Sequence, residues 1–490
     1  MDFGFDSEKY EKLQSEQILK RVEMFSGKLY MEFGGKLFDD LHASRVLPGF
    51  RADSKVRILQ KLADKTEIIM VVSASDIERK KIRADYGLTY DNEVIRQVER
   101  LRKMGLFVSS IVITMYAGQK SADKFVKQLK NRGENVYIHK PTQGYPDNVD
   151  LIVSEEGYGA NPYIKTTRPI VVVTAPGPGS GKMGTCLSQM YHESKQGIKS
   201  GYAKFETFPI WNLAVDNPIN LAYEAATADL ADKNLVDTWH LRAYHERVTN
   251  YNRDIESFAI LKAILHKITN DKTLYRSPTD MGVNMAGFAI TDMKKCENAA
   301  TNEIIRRYYK ALCDAKLGNE PIETSQRIER IIKKHEINIS KRRVIQSAKN
   351  KFAQSGKPSV AIELPNTSII CGRETELLSA SSAAVLNSLK EIAHIDDNIY
   401  LLGEDVLKPI CELKRRLSGD DSQKLNLYDV VSALSICSTR DIVAKKAYEK
   451  LPELALADAH SSHMIFGEDA ATLKSLRISV SAEPEFANII

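Results

Sequence analysis

Gly177-Pro178-Gly179-Ser180-Gly181-Lys182 is the stretch of this chain best equipped for chemistry. It follows the β-branched run Ile170-Val171-Val172-Val173 and leads into a segment whose apolar residues Met183, Leu187, Met190 and Tyr191 recur at helical spacing. Strand, glycine-rich loop and helix start, in that order, make an anion site. The first amides of a helix have no intrahelical partner, and its dipole favours negative charge there. Glycines let the backbone approach a phosphate without a Cβ in the way. The expected phosphate- or nucleotide-binding residues are therefore Gly177, Gly179, Ser180, Gly181, Lys182 and Thr185.

The pattern departs from a Walker A loop, G-x-x-x-x-G-K-[ST], at both ends. Pro176 stands where the first glycine belongs, and Met183 where the magnesium-binding hydroxyl belongs. Thr185 lies two residues on, about 200° around the helix, and is no simple replacement. Two later segments carry residues that could complete a site. Thr207 to Asn220 is a long loop with Trp211 and an Asp216-Asn217-Pro218 turn, in which Asp216 could hold a metal or act as a base. Ser277 to Gly287 presents Asp280 and Asn284 among glycines after a Pro-initiated turn. Asp216, Asp280 and Asn284 are the candidate catalytic residues, and no metal ligand set is specified. An Asp-Asn-Pro turn and an interhelical connection are the plainer readings of the two segments.

These pieces need a frame to hold them, and the N-terminal half supplies one. Apolar strands at 28–33, 67–73, 106–115, 135–139, 149–154, 170–173 and 202–206 alternate with amphipathic helices at 8–22, 54–63, 91–103 and 121–132. Such alternation predicts an α/β fold with a mostly parallel sheet and helices on both faces. Ligands in such sheets sit at the carboxyl ends of the strands, where the glycine-rich loop falls. A helical middle region follows, then a smaller α/β domain with a hairpin at 360–371, a helix rich in Ser and Ala at 377–392, strands at 399–402 and 477–481, and helices at 405–417 and 430–450. The expected domains are 1–235, 236–350 and 351–490. Ala459-His460-Ser461-Ser462-His463 reads as a surface loop.

Composition excludes several classes. The chain has 490 residues, 43% hydrophobic and 27% charged, an ordinary globular balance. A net charge of +5 from 69 basic and 64 acidic residues is too balanced to favour nucleic acid or an anionic membrane. The basic run at 76–87 could reach a phosphate but reads first as a solvated charged loop, and the run at 327–351, which lacks interleaved aromatics, reads as a solvated helix face or linker. Six scattered cysteines with no C-x-x-C pair, and an acidic start without an apolar core, predict a cytoplasmic protein with reduced thiols. No apolar stretch approaches the roughly 18 residues of a membrane span. His240 and His245 are five apart, off the i, i+4 face of a zinc peptidase helix, and H-x-E with P-C-x-x-C is absent.

The segments Met31-Glu32-Phe33-Gly34-Gly35-Lys36, 169–182, Ala214 to Ala226 and Ser277 to Gly287 resemble those of a bacterial family known as a domain of unknown function. The resemblance runs over nearly the whole chain. It implies an α/β N-terminal region, a helical middle and an α/β C-terminal subdomain, and it brings no activity with it. The expected function is binding of a nucleotide or phosphorylated metabolite at the P-loop-like segment, with phosphoryl transfer or hydrolysis as the reaction and ATP with magnesium as the cofactor pair it would use. The alternative is a non-catalytic sensor or scaffold for a phosphorylated ligand. The expected partner is that small ligand, with neither nucleic acid nor membrane, and a homo-oligomer is left open.

Overall fold

The computed structural model describes residues 3–25, 27–83, 87–418 and 424–487. Residues 84–86 of the first basic run, and the first two residues of the acidic start, lie outside them. The chain divides into two compact units, 1–223 with 232–297, and 224–231 with 298–490. The helices expected as a separate middle domain are shared out between these two.

In the first unit, seven strands form one parallel sheet: β1 (Leu29–Phe33), β2 (Thr66–Ser73), β3 (Phe107–Thr114), β4 (Val136–Ile138), β5 (Ile170–Thr174), β6 (Gly201–Phe205) and β7 (Gly282–Val283). Their spatial order is β7-β6-β1-β5-β2-β3-β4. β2 and β5 are buried along their whole length, as near-continuous apolar runs require when both sheet faces are covered. Helices α1 (Ser7–Met24), α2 (Ser54–Lys61) and α3 (Tyr90–Lys103) cover one face, with Glu11 of α1 bound to Ser54 and Lys61 of α2. α4 (Lys120–Asn131) joins β3 to β4. α5 (Lys182–Lys195) and α6 (Asn252–Thr269) cover the other face, where Tyr30 on β1 donates to Glu193 of α5 at 2.7 Å.

The chain moves outward from β1 through β2, β3 and β4 with its helices on one face. It then returns to insert β5 between β1 and β2, and continues to β6 with its helix on the opposite face. Connections leaving β5 and connections leaving its two neighbours therefore diverge, which opens a crevice at the carboxyl end of β5. The entry to β5 is clamped by buried Glu67, which accepts from the amides of Thr167 (2.6 Å) and Arg168 (2.8 Å), while the Arg168 guanidinium donates to the carbonyls of Ala63 and Thr66.

The segment 149–154, expected as a strand, is instead the short helix Val149–Ile152. Asn148 caps it by accepting from the Leu151 amide, a local bond that an extended segment could not make. No helix among the described residues is long and apolar enough to cross a membrane.

The second unit holds a four-stranded mixed sheet in the order β9-β8-β10-β11, from β8 (Ser359–Glu363), β9 (Ile369–Arg373), β10 (Asp458–Ser461) and β11 (Ser479–Ala482). β8 and β9 form the expected hairpin. α7 (Val344–Ser355) packs on β8, β9 and β10, and α8 (Ala380–Ala393) packs on β8 and β9. The small residues of α8 permit this contact: a Cβ on Gly372 of β9 would lie 2.1 Å from the Ala384 nitrogen. Two expectations fail here. The segment 399–402 is irregular, with Tyr400 92% exposed, so no sheet covers it. The segment 459–463, read as a surface loop, contributes β10, the strand between β8 and β11. Its polar residues are buried because they pair with one another, His460 Nδ1 lying 2.9 Å from Ser481 Oγ.

Arg342 locks β10 and β11. Its side chain is 1% exposed and reaches Asp458 (2.6 Å), the carbonyls of Ala459 (3.0 Å) and Ser479 (2.5 Å), and Ser481 Oγ (3.1 Å). Arg342→Ala removes a donor from two strand carbonyls and leaves the partly exposed Asp458 with Asn302 alone, and is expected to cost about 2–4 kcal/mol in urea unfolding of this unit. Arg342→Lys restores only part of it, because an ammonium lacks the planar fork.

Candidate functional site

The glycine-rich loop emerges from β5 at the crevice. Ser180 Oγ donates to the Gly177 carbonyl at 2.7 Å, folding the loop on itself. Thr114, the last residue of β3, donates to the Ser180 carbonyl at 2.7 Å and fixes the loop against the sheet. Gly177 must be glycine for a packing reason: a Cβ there would lie 2.2 Å from the Tyr90 hydroxyl at the start of α3. Gly181 must be glycine for a backbone reason, since φ is +81° and the residue caps α5 in the left-handed region.

No side chain caps this helix. Among the described residues, the Thr185 amide is the first of α5 to find a carbonyl, Gly181 O at 2.9 Å. The amides of 182–184 have no acceptor among the described residues. A Cβ on Gly179, Gly184 or Gly34, the residue after β1, would meet no neighbouring atom within 4 Å, so all three border open space. At the root of the loop Thr174, 1% exposed, has a hydroxyl with no hydrogen-bond partner.

The other candidate residues divide by what they bind. The Thr185 hydroxyl donates back to the Gly181 carbonyl at 3.0 Å, so it stabilises the first turn of α5 from within. Asp216 is exposed on the loop after β6. Asp280 accepts from the amides of Arg276 (2.7 Å) and Ser277 (3.0 Å) and from the Tyr244 hydroxyl (2.9 Å), closing the turn before β7. Asn284 donates to the carbonyls of Thr207 and Pro209 and accepts from the Ala286 amide. It joins the end of β7 to the loop after β6. No hydrogen bond or ion pair among the described residues links Asp216, Asp280 or Asn284 to 177–185.

Other residues stand beside the loop instead. The Lys182 ammonium lies 3.7 Å from Glu32, near the end of β1, and both side chains are largely buried. Glu32 is in register with Lys204 on β6 and accepts from the Tyr202 hydroxyl at 2.8 Å. Lys204 is held by both oxygens of Asp254 in the first turn of α6, at 2.5 and 2.6 Å. Glu206 follows β6, packed with the Trp211 ring against Gly282. Burial opposes the Lys204 charge, yet Asp254, Glu32 and Glu206 outweigh it and raise the lysine pKa. Burial likewise pushes the Glu206 carboxyl up from 4.5 to about 8, Asp254 and Glu32 adding to the effect and Lys204 opposing it. Lys182 and Lys204 thus stand among Glu32, Asp254 and Glu206, the last of which keeps its proton to a higher pH than an ordinary glutamate.

Sequence reading missed this floor because its members come from β1, β6 and α6 and meet only through the sheet order. The available signal was a charged residue near the carboxyl end of an otherwise apolar strand, Glu32 in Leu29–Phe33 and Lys204 in Gly201–Phe205. Among the described residues no three His, Cys, Asp or Glu side chains converge as a metal site.

The fold and the site define a parallel α/β protein with a glycine-rich loop at a switch point of its sheet and a balanced charge cluster beside it. By sequence the chain belongs to the DUF1846 family: the model described as domain of unknown function DUF1846, N-terminal, matches residues 3–336, and its C-terminal counterpart matches 340–489. It is similar to the UPF0371 proteins of Clostridium botulinum (strain Alaska E43 / Type E3) and Clostridium tetani (strain Massachusetts / E88). Each is 48% identical to it, the alignments covering 99% of this chain and 98% of the relative.

The raised Glu206 pKa fixes a pH dependence. The folded state holds a proton that the unfolded chain releases near 4.5, so below 4.5 both states are protonated and Glu206 carries no penalty. Between 4.5 and about 8 stability falls with rising pH, by at most about 1.4 kcal/mol per unit from this group, and then levels off. Urea unfolding of Glu206→Gln across pH 5–9 should lack this slope. An unchanged slope would show that the proton lies elsewhere.

Proposed function

We propose that the protein binds a nucleotide or a phosphorylated metabolite with its phosphate at Gly177–Lys182. The observation that carries this reading is the start of α5 on a left-handed glycine, at the carboxyl end of β5, with no side-chain cap and, among the described residues, no acceptor for the amides of 182–184. Backbone donors with no protein acceptor, at the positive end of a 14-residue helix and beside a lysine, match the chemistry of a phosphate group.

The reaction divides the two readings. In phosphoryl transfer or hydrolysis, the loop amides and Lys182 would neutralise charge on the transferred group. In a sensor or scaffold the same contacts hold the ligand without turnover. The residues favour the second on one point: they do not fit the magnesium site of a P-loop. Met183 offers no hydroxyl, and the Thr185 hydroxyl is already spent on the Gly181 carbonyl.

Thermal unfolding of the full chain with millimolar ATP, glucose 6-phosphate or inorganic phosphate, each with and without magnesium, tests both. A ligand at 100 times its Kd stabilises by about 2.7 kcal/mol and raises Tm by a few degrees. Lys182→Ala should abolish most of that shift, read against the variant's own ligand-free Tm, which should itself fall because Glu32 loses its counter-charge. Stabilisation by ATP only with magnesium would select the enzyme, and metal-independent shifts the sensor. No shift from any of the three compounds would sink the phosphate reading.

A further inference from the structure

The floor beside the loop holds one group that the fold itself does not explain. Glu206, partly accessible, stands against Gly282 of β7 beside the Trp211 ring, and among the described residues its carboxyl meets no partner at hydrogen-bonding geometry and closes no ion pair. The Trp211 indole approaches it and acts on its charge, but the indole nitrogen is likewise without a hydrogen-bond partner. Every neighbouring charged side chain is engaged: Lys204 with Asp254, and Glu32 with Lys182 and Tyr202. Burying an acid costs free energy that a missing hydrogen bond does not return, so an idle carboxyl in such a place is expected to have a partner from outside.

Its surroundings indicate what kind. Glu206 keeps part of its surface accessible, as do the residues Trp211, Tyr223 and Tyr251. The charged groups facing it are Glu32 on β1, Lys204 on its own strand and Asp254 on α6, with Tyr223 and Tyr251 as neighbouring phenols. Lys182 and Lys204 balance Glu32 and Asp254, so the floor calls for no further ion. A neutral group bearing several hydroxyls suits it: carboxyls both accept from and donate to alcohols, and aromatic rings pack on the C–H faces of a sugar. The floor is continuous with the phosphate loop through Lys182, whose ammonium reaches Glu32.

We propose that Glu206 is a ligand-binding residue, and that it receives the sugar hydroxyls of a phosphorylated sugar or of the ribose phosphate of a nucleotide. The proposal rests on the phosphate reading of the loop and adds the class of compound attached to the phosphate. As a protonated acid Glu206 donates to one ligand oxygen and accepts from a neighbouring hydroxyl.

Calorimetric titration of the full chain at pH 7 with inorganic phosphate, ribose 5-phosphate, glucose 6-phosphate and AMP tests it. At least one of the three sugar-bearing compounds should bind ten times or more tighter than inorganic phosphate. Ribose 5-phosphate and AMP together would indicate a nucleotide, and glucose 6-phosphate a free sugar phosphate. Glu206→Ala should remove that advantage and leave the affinity for inorganic phosphate unchanged. Glu206→Gln, which keeps a donor and an acceptor, should preserve it within about threefold. Wild-type affinity should fall as pH rises through about 8, and that of Glu206→Gln should not. Equal affinity for all four compounds, or a Glu206→Ala protein that binds as wild type, overturns the proposal and leaves the phosphate site standing. Failure of every compound, inorganic phosphate included, removes the phosphate reading and this proposal with it.

Discussion

The contact between Lys182 and Glu32 is the hinge of the first unit's chemistry. Lys182 opens α5, so its backbone belongs to the loop, while its ammonium belongs to the strand next door. A lysine so largely buried needs a counter-charge, and Glu32 supplies it at 3.7 Å. Glu32 in turn shares a register position with Lys204, which Asp254 neutralises from α6. Two cations and two anions alternate across α5, β1, β6 and α6, and each depends on the next. Removing any one leaves its neighbour buried and unpaired, which couples the loop to the far edge of the sheet.

The protonated state of Glu206 follows from that arrangement. Two lysines can satisfy two carboxylates in a poorly hydrated space, and a third negative charge has no counterpart. The least costly outcome is to keep the proton, which makes Glu206 a donor that an ordinary glutamate is not. Carboxylic acids held neutral in this manner are found where a site must present a hydrogen-bond donor of that shape.

Much of the fold could be read before any coordinates existed, for identifiable reasons. β2 and β5 are long runs of β-branched and apolar residues, and α3 and α4 repeat their apolar faces at helical spacing, so period and composition agree. The glycine-rich loop was visible because its members are consecutive. What escaped was long-range or locally ambiguous. Val149–Ile152 is too short for its pattern to show period. Asp458–Ser461 carries an aspartate, a histidine and a serine inside a buried strand, tolerable only because Arg342 and Ser481 sit across from them. Asp280 and Asn284 looked chemical for the same property that makes them good at their observed work, a short polar side chain that reaches nearby backbone.

The sheet order has a further implication for how the molecule comes into being. Tyr202 and Glu32, which share a hydrogen bond, are separated by 170 positions along the chain. At ribosomal speed Glu32 must wait roughly 10–30 s for Tyr202 to be made. Throughout that interval β1 has neither of its eventual neighbours, because β5 and β6 are both translated later. An interior strand of the sheet is thus the earliest made and must wait for both of its neighbours, and a nascent chain halted before α6 would carry two lysines and their glutamate without the aspartate that completes the set.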